Sequence, residues 1–259
     1  MLNTITHGQP TGRTGLLIAH GLYGSARNWG VIAKRLADTR QVTAVDMRNH
    51  GDSPGTETHS YPEMAHDLAE VIEAGAVPRH VMGHSMGGKA AMLLALERPD
   101  LVQSLIVADI APVAYAHSQK GYAEAMRDTD LAGIERRSDA AERLMPRVDN
   151  PDLVPFFLQS LDVKERRWKL NLDTLISEMP KIMDFPDVSG SYAGPTLFLT
   201  GATSDYVTRA HRDRITALFP AARFVSIPEA GHWLHAEKPR EFEAAVRAWL
   251  DRQDTRATT

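Results

Sequence analysis

Apolar residues along the chain gather in six short runs, each closed by a turn signal. They are LLIAH (16–20), QVTAVD (41–46), HVMG (80–83), SLIVAD (104–109), TLFLT (196–200) and RFVSIP (223–228). The runs are nearly continuous in apolar character instead of alternating, as strands buried on both faces of a parallel sheet are. Helix-like stretches lie between them, over 29–37, 61–74, 86–98, about 207–219 and 239–252. Strand alternating with helix predicts an α/β fold with a mostly parallel, doubly wound sheet. The rhythm breaks once. From about Pro112 to Tyr192 no strand signal occurs, and two long helical patches stand there instead, YAEAMRDTDLAGIERRSDAAERLM and DLVPFFLQSLDVKERRWKLNLDTLISEMPKIM. An interval of that length is an insertion and not a loop. It divides the chain into a first core part (1–111), an inserted helical cap (112–192) and a second core part (193–259). Two ordinary crossover helices with long linkers are the plainer alternative. Five aromatics in the interval, Tyr115, Tyr122, Phe156, Phe157 and Trp168, favour a cap with an apolar underside.

Composition narrows the function. The 259 residues carry a formal net charge of −4 with no block of like charge, a poor match to nucleic acid or an anionic membrane. There is no cysteine, which removes disulfides, a thiolate nucleophile and thiolate metal sites. The opening MLNTITHGQPTGRTG has neither the apolar core of a signal peptide nor the basic character of a transit peptide. No run approaches the roughly 18 apolar residues of a membrane span. A soluble, cytoplasmic protein is expected, with a polar tail, DRQDTRATT, that frays.

The chemistry centres on GHSMGGKAAM (83–92). Gly83-His84-Ser85-Met86-Gly87 follows a strand and opens a helix, the setting of a nucleophile elbow. A sharp turn there lifts the Ser85 hydroxyl to the carboxyl end of the sheet, at a helix N-terminus that favours negative charge. The alternative is a polar residue in a permissive glycine turn. An oxyanion hole needs two N–H donors. Met86, directly after the serine, offers one. The turn His20-Gly21-Leu22-Tyr23-Gly24 offers the other, from Leu22 or, failing that, Tyr23. Of eleven histidines, His232 in EAGHWLHAEKP lies past the last strand, where the loop reaches the ligand crevice of such sheets. His235 is its competitor. Their spacing could suggest a metal pair, but no third ligand offers itself, so no metal and no organic cofactor are implied. His20 and His84 flank the pocket, His50 reads as a loop residue, and Tyr23, His84 and Trp233 are candidate substrate contacts. Lys89 and Arg48 could steer an anionic substrate or serve the surface or framework.

The acid is less direct. In Gly201-Ala202-Thr203-Ser204-Asp205-Tyr206-Val207 the slot usual for an acid after the cap holds Ser204, and Asp205 falls one place late. Asp109 ends the strand before the cap and faces the same crevice. It is therefore preferred to Asp205, although it also reads as a turn residue ahead of Pro112. Either choice keeps the order Ser, Asp, His.

The segments HGLYGSARNW, AVDMRNHGDSP, GHSMGGKAAMLLAL, ADIAPV, PTLFLTGATSDYV and AGHWLHAEKP span nearly the whole chain. Together they resemble the α/β-hydrolase superfamily, and within it the small YbfF-type esterases and thioesterases. The resemblance implies an α/β-hydrolase fold and a serine hydrolase acting on a small-molecule ester or thioester. It implies Ser85, His232 and an acid at Asp109, with Ser204 beside the histidine. The acyl group is expected to be small to medium. Carbon–carbon hydrolases and cofactor-free perhydrolases use the same triad, and a non-catalytic receptor can keep the fold. All three stay open at this level.

Overall fold

The computed structural model describes residues 1–257, the side chains of 256 and 257 excepted. Each apolar run forms a strand. In chain order the core begins with β1 (Thr4–His7), β2 (Leu16–Ala19), α1 (Gly30–Leu36), β3 (Val42–Val45), α2 (Tyr61–Ala74), β4 (Arg79–His84), α3 (Met86–Glu97) and β5 (Val102–Ala108). The interval 112–192 then holds α4 (Lys120–Arg127), α5 (Arg137–Leu144), α6 (Val154–Phe157), β6 (Leu161–Asp162), β7 (Arg167–Trp168), α7 (Leu172–Ser177) and α8 (Met179–Met183). The core resumes with β8 (Thr196–Gly201), α9 (Arg212–Leu218), β9 (Ala222–Ile227), α10 (Leu234–Glu237) and α11 (Pro239–Ala257).

The main sheet has seven strands in the order β1-β3-β2-β4-β5-β8-β9. All neighbours are parallel except β1, which runs antiparallel to β3. This is the α/β-hydrolase architecture. Residues along the central strands divide between two apolar layers. Leu17, Ala19, Val81, Leu105, Val107 and Phe198 pack on one face. Leu16, Ile18, Met82, Ile106, Leu197 and Leu199 pack on the other, against Trp29, Ile32, Phe242, Val246 and Leu250. Burial on both faces is why the runs are continuously apolar.

Three expectations need correction. β1, sequence TITH, was not among the expected strands: it is an edge strand of alternating exposed and half-buried residues, so it carries no apolar run. The interval 112–192 contains a strand pair after all. Leu161 faces Trp168 and Asp162 faces Arg167, a two-residue ladder too short to leave a period-2 signal. The tail does not fray at Asp251. α11 continues to Ala257, Gln253 is buried, and the Asp254 carboxylate receives Arg40 Nη2 at 2.9 Å. Thr258 and Thr259 lie outside the described residues. No helix among the described residues is long and apolar enough to cross a membrane.

Arg40 is 1% exposed and also donates to the Thr14 carbonyl, and His80 Nε2 lies 3.4 Å from Asp254 Oδ1. Removing this carboxylate leaves the buried cation with only the longer contact to Asp251, 3.5 Å away, among the described carboxylates. Asp254→Ala is therefore expected to cost about 2–3 kcal/mol, a fall in Tm of about 4–12 °C. Thermal unfolding checks this, since a frayed tail would leave Tm unchanged.

Candidate active site

The turn between β4 and α3 holds Ser85 at φ 51° and ψ −120°, a strained region for a residue with a Cβ. Its N–H donates to the Ala108 carbonyl at 3.0 Å, which fastens the turn to the end of β5. Only glycine fits the two close crossings beside it. A Cβ on Gly83 would stand 2.2 Å from the Gly87 carbonyl oxygen, and one on Gly87 would stand 2.5 Å from the Ala19 and His20 carbonyl oxygens. α3 is thus pressed against β2 and β4, and the serine is raised at its N-terminus.

Asp109 follows β5, also at positive φ (51°), and is 0% exposed. Its carboxylate collects three donors. Gly201 N–H reaches Oδ1 at 3.1 Å, His232 Nδ1–H reaches Oδ2 at 2.8 Å, and the Ser204 hydroxyl also donates to Oδ2. With Nδ1 donating, His232 Nε2 is left to accept from the Ser85 hydroxyl, 3.1 Å away. The Tyr206 ring stacks on the imidazole at 3.8 Å and 17°. Ser85, His232, Asp109 and Ser204 are therefore brought together. Asp205 is exposed, with no hydrogen bond to the imidazole. His235 stands apart, stacked on Trp29 at 4.4 Å.

The loop after β2 comes close to the serine. A Cβ on Gly21 would lie 3.2 Å from that of Ser85. Tyr23 N–H is already spent on His50 Nε2 at 3.1 Å. Leu22 N–H donates to nothing among the described residues, and Met86 N–H, first in its helix, has no intrahelical acceptor. The loop is held by histidines. His20 Nε2 accepts from Met47 N–H at 2.9 Å and its Nδ1–H donates to Gly21 O at 2.7 Å. His50 Nδ1–H donates to the Arg48 carbonyl at 2.8 Å. His50, read from sequence as a loop residue, is thus a buried pillar of the turn. The only signal was its place in NHGDSP, where two glycine-like backbone positions fold back, Asn49 at φ 63° and Gly51 at φ 60°. His84 Nε2–H donates to the His232 carbonyl at 2.8 Å, so His84 fixes the base's loop from beneath while also lining the pocket.

Ser85 opens into a cavity of about 50 Å³ lined by Leu22, Tyr23, His84, Met86 and Trp233 among others. Lys89 also lines it and is 1% exposed, so it is not a surface residue. The ammonium donates to the carbonyls of Met183 (3.1 Å) and Asp184 (2.6 Å) and lies 4.8 Å from the centre of the Tyr115 ring. Burial pushes its pKa down to about 7, opposed by the Asp184 charge. Arg48 is outside the cavity, bound to Asp67 at 2.6 Å and to Glu63. The inserted segment reaches both arms of the site. Tyr23 OH donates to the Gln119 carbonyl at 2.7 Å, Gln119 Nε2 donates to Tyr206 OH at 3.2 Å, and Tyr115 OH donates to the Tyr206 carbonyl at 2.7 Å.

The pattern of the alpha/beta hydrolase family matches residues 16–245, and the chain belongs to that family. More narrowly, it is an enzyme of the esterase/lipase type. It is 42% identical over 246 residues to the sn-1-specific diacylglycerol lipase ABHD11 of Mus musculus, covering 91% of this chain and 80% of the relative. It is 35% identical over 238 residues to the esterase YbfF of Escherichia coli, covering 91% of this chain and 92% of that one. A solved marine microorganism esterase superposes with a TM-score of 0.90 at 38% identity, covering 96% of this chain and 98% of the other.

Six buried histidines make the fold acid-sensitive. Burial lowers His20 and His84, and lowers His50 with the charges of His20 and His59 adding to it. It brings His59 and His235 to about 3 and His80 to about 4. In the unfolded chain each takes up a proton near pH 6.5. The unfolded state therefore binds more protons below that pH. Stability is complete above it and falls as pH drops toward the folded values. Each histidine adds about 1.4 kcal/mol per pH unit to the slope. Denaturant unfolding at about pH 7 and about pH 5 should show a loss of several kcal/mol.

Proposed function

We propose that the chain hydrolyses carboxylic esters or thioesters of small-to-medium acyl groups through an acyl-enzyme on Ser85. The observation that carries the reading is the hydrogen-bonded chain from Ser85 Oγ to His232 Nε2 and from His232 Nδ1 to Asp109. It stands beside the N–H of Leu22, which has no acceptor among the described residues, and that of Met86, which has none within its helix. His232 takes the hydroxyl proton as Ser85 Oγ bonds to the acyl carbon. The carbonyl oxygen becomes an oxyanion held by Leu22 and Met86 N–H. Collapse breaks the bond to the leaving oxygen or sulfur, which receives the proton from His232. Water then repeats the sequence, releasing the acid and restoring the serine. Asp109 keeps Nδ1 protonated and stabilises the imidazolium, and Ser204 anchors Asp109 through the same Oδ2 that holds the imidazole. The 50 Å³ cavity supports a small acyl group. Residues 112–192 act as the cap, since Tyr115, Leu153, Phe157, Ile182 and Met183 wall the cavity from above Ser85.

Ser85→Ala is expected to abolish covalent labelling by a fluorophosphonate and to lower turnover of p-nitrophenyl butyrate about 10⁴-fold or more. Asp109→Asn should lose about 10³–10⁴-fold, because the amide no longer selects the Nδ1–H tautomer. Ser204→Ala should lose about 10–100-fold, one hydrogen bond to a charged group. Asp205→Asn should stay near wild type. Full labelling of Ser85→Ala, or a crippled Asp205→Asn beside an active Asp109→Asn, would overturn the assignment.

A further inference from the structure

A second and larger cavity, of about 700 Å³, lies against the first and shares Leu153 and Trp233 with it. One wall is the core, through Val31, Ile32 and Ala236. The other is the inserted segment, through Leu153, Pro155 and Phe156. Trp233 forms the partition, its ring 4.4 Å from that of Phe156 and 5.7 Å from that of His232. Resting on the acyl-enzyme reading above, we propose that this groove binds the leaving alcohol of the substrate, and that the alcohol carries an uncharged hydrocarbon chain.

Direction comes from the chemistry. The leaving oxygen must face His232 Nε2 to receive its proton, so the alcohol departs on the histidine side. Trp233 is the next residue in the chain, and the groove opens beyond it. The acyl group occupies the smaller cavity around Ser85, whose lining includes Lys89. Volume separates the two roles. A 50 Å³ cavity cannot hold a long chain, whereas 700 Å³ falls within the range of ordinary ligand pockets. Charge selects the ligand class. No lysine or arginine lines the groove, but Asp152 and Glu237 do. A phosphate-bearing leaving group such as coenzyme A would meet two carboxylates there and no cation. A hydrocarbon meets Val31, Ile32, Phe156 and Trp233. Val31 is 62% exposed, a large apolar side chain left open at the groove's edge. His235, also lining the groove, is 9% exposed, and its Nδ1 has no hydrogen-bond partner among the described residues. Such a buried, unmet polar atom is uncommon in a finished core.

The test holds the acyl group constant. Ethyl and octyl butanoate are compared, each below its solubility limit, with active enzyme counted by fluorophosphonate labelling. In the wild type, kcat/KM should be at least about 10-fold higher for the octyl ester, chiefly through KM, because the chain is bound equally in ground and transition states. Ala236→Trp and Val31→Trp place a large ring in the groove from exposed positions on opposite parts of its core wall. In both, the octyl-to-ethyl ratio should fall toward one. The ratio of butanoyl-CoA to ethyl butanoate should not change. A wild-type ratio near one, or variants that keep the wild-type ratio, would overturn the groove assignment while leaving Ser85 labelling intact. A parallel loss with butanoyl-CoA would overturn the uncharged class. If Ser85→Ala retained both ester activities, the acyl-enzyme reading would fall, and the groove would still be judged by the ratios.

Discussion

Everything at the carboxyl edge of the sheet is arranged around one buried carboxylate. Asp109 has no solvent contact, and an ion so placed is tolerable only if its lone pairs are occupied. The three donors that occupy them come from three different places: the end of β8, the loop after it and the loop after β9. Satisfying the charge therefore fixes where those segments stop relative to β5. The same charge fixes the imidazole tautomer, leaving Nε2 as an acceptor toward Ser85. Framework and chemistry are met by the same three hydrogen bonds, which leaves little freedom to change one without the other.

The parallel core was legible because its physics is repetitive. A strand covered on both faces needs apolar residues at every position, and LLIA and SLIVA have them. The edge had no such need, so TITH passed unnoticed. The two-residue ladder at Leu161–Asp162 was hidden for a different reason: it is held by its surroundings and has no pattern of its own. The cluster around Asp109 was legible through displacement. A serine in the acid's customary slot pointed back to Asp109, and the Ser204 hydroxyl does bond to that carboxylate.

The second arm of the site was harder to read. Sequence singled out Leu22 over Tyr23 without a physical reason to separate them. The reason is His50, which consumes the Tyr23 N–H and leaves that of Leu22 free. A histidine 27 residues away in a polar turn carries no local mark of this. Lys89 was obscure for a related cause. On a helical wheel a lysine belongs outside, whereas here it is sunk among carbonyls and tyrosine faces under the inserted segment. Both are residues whose environment is made by distant chain, which periodicity and motif spacing cannot register.

Gln119 touches both halves of the chemistry. Its carbonyl holds Tyr23 in the loop that faces Ser85, and its amide holds Tyr206, the ring that backs the imidazole. Lifting this part of the inserted segment would release both at once. The lifted state would be idle as well as open, since access and reactivity are gained and lost in opposite directions. Substrate that bridges core and segment would then raise the competent fraction by binding, and its apparent affinity would be the intrinsic one reduced by the fraction of molecules already assembled. Turnover would then depend on how often the segment is down, a quantity that substitutions far from Ser85 would change.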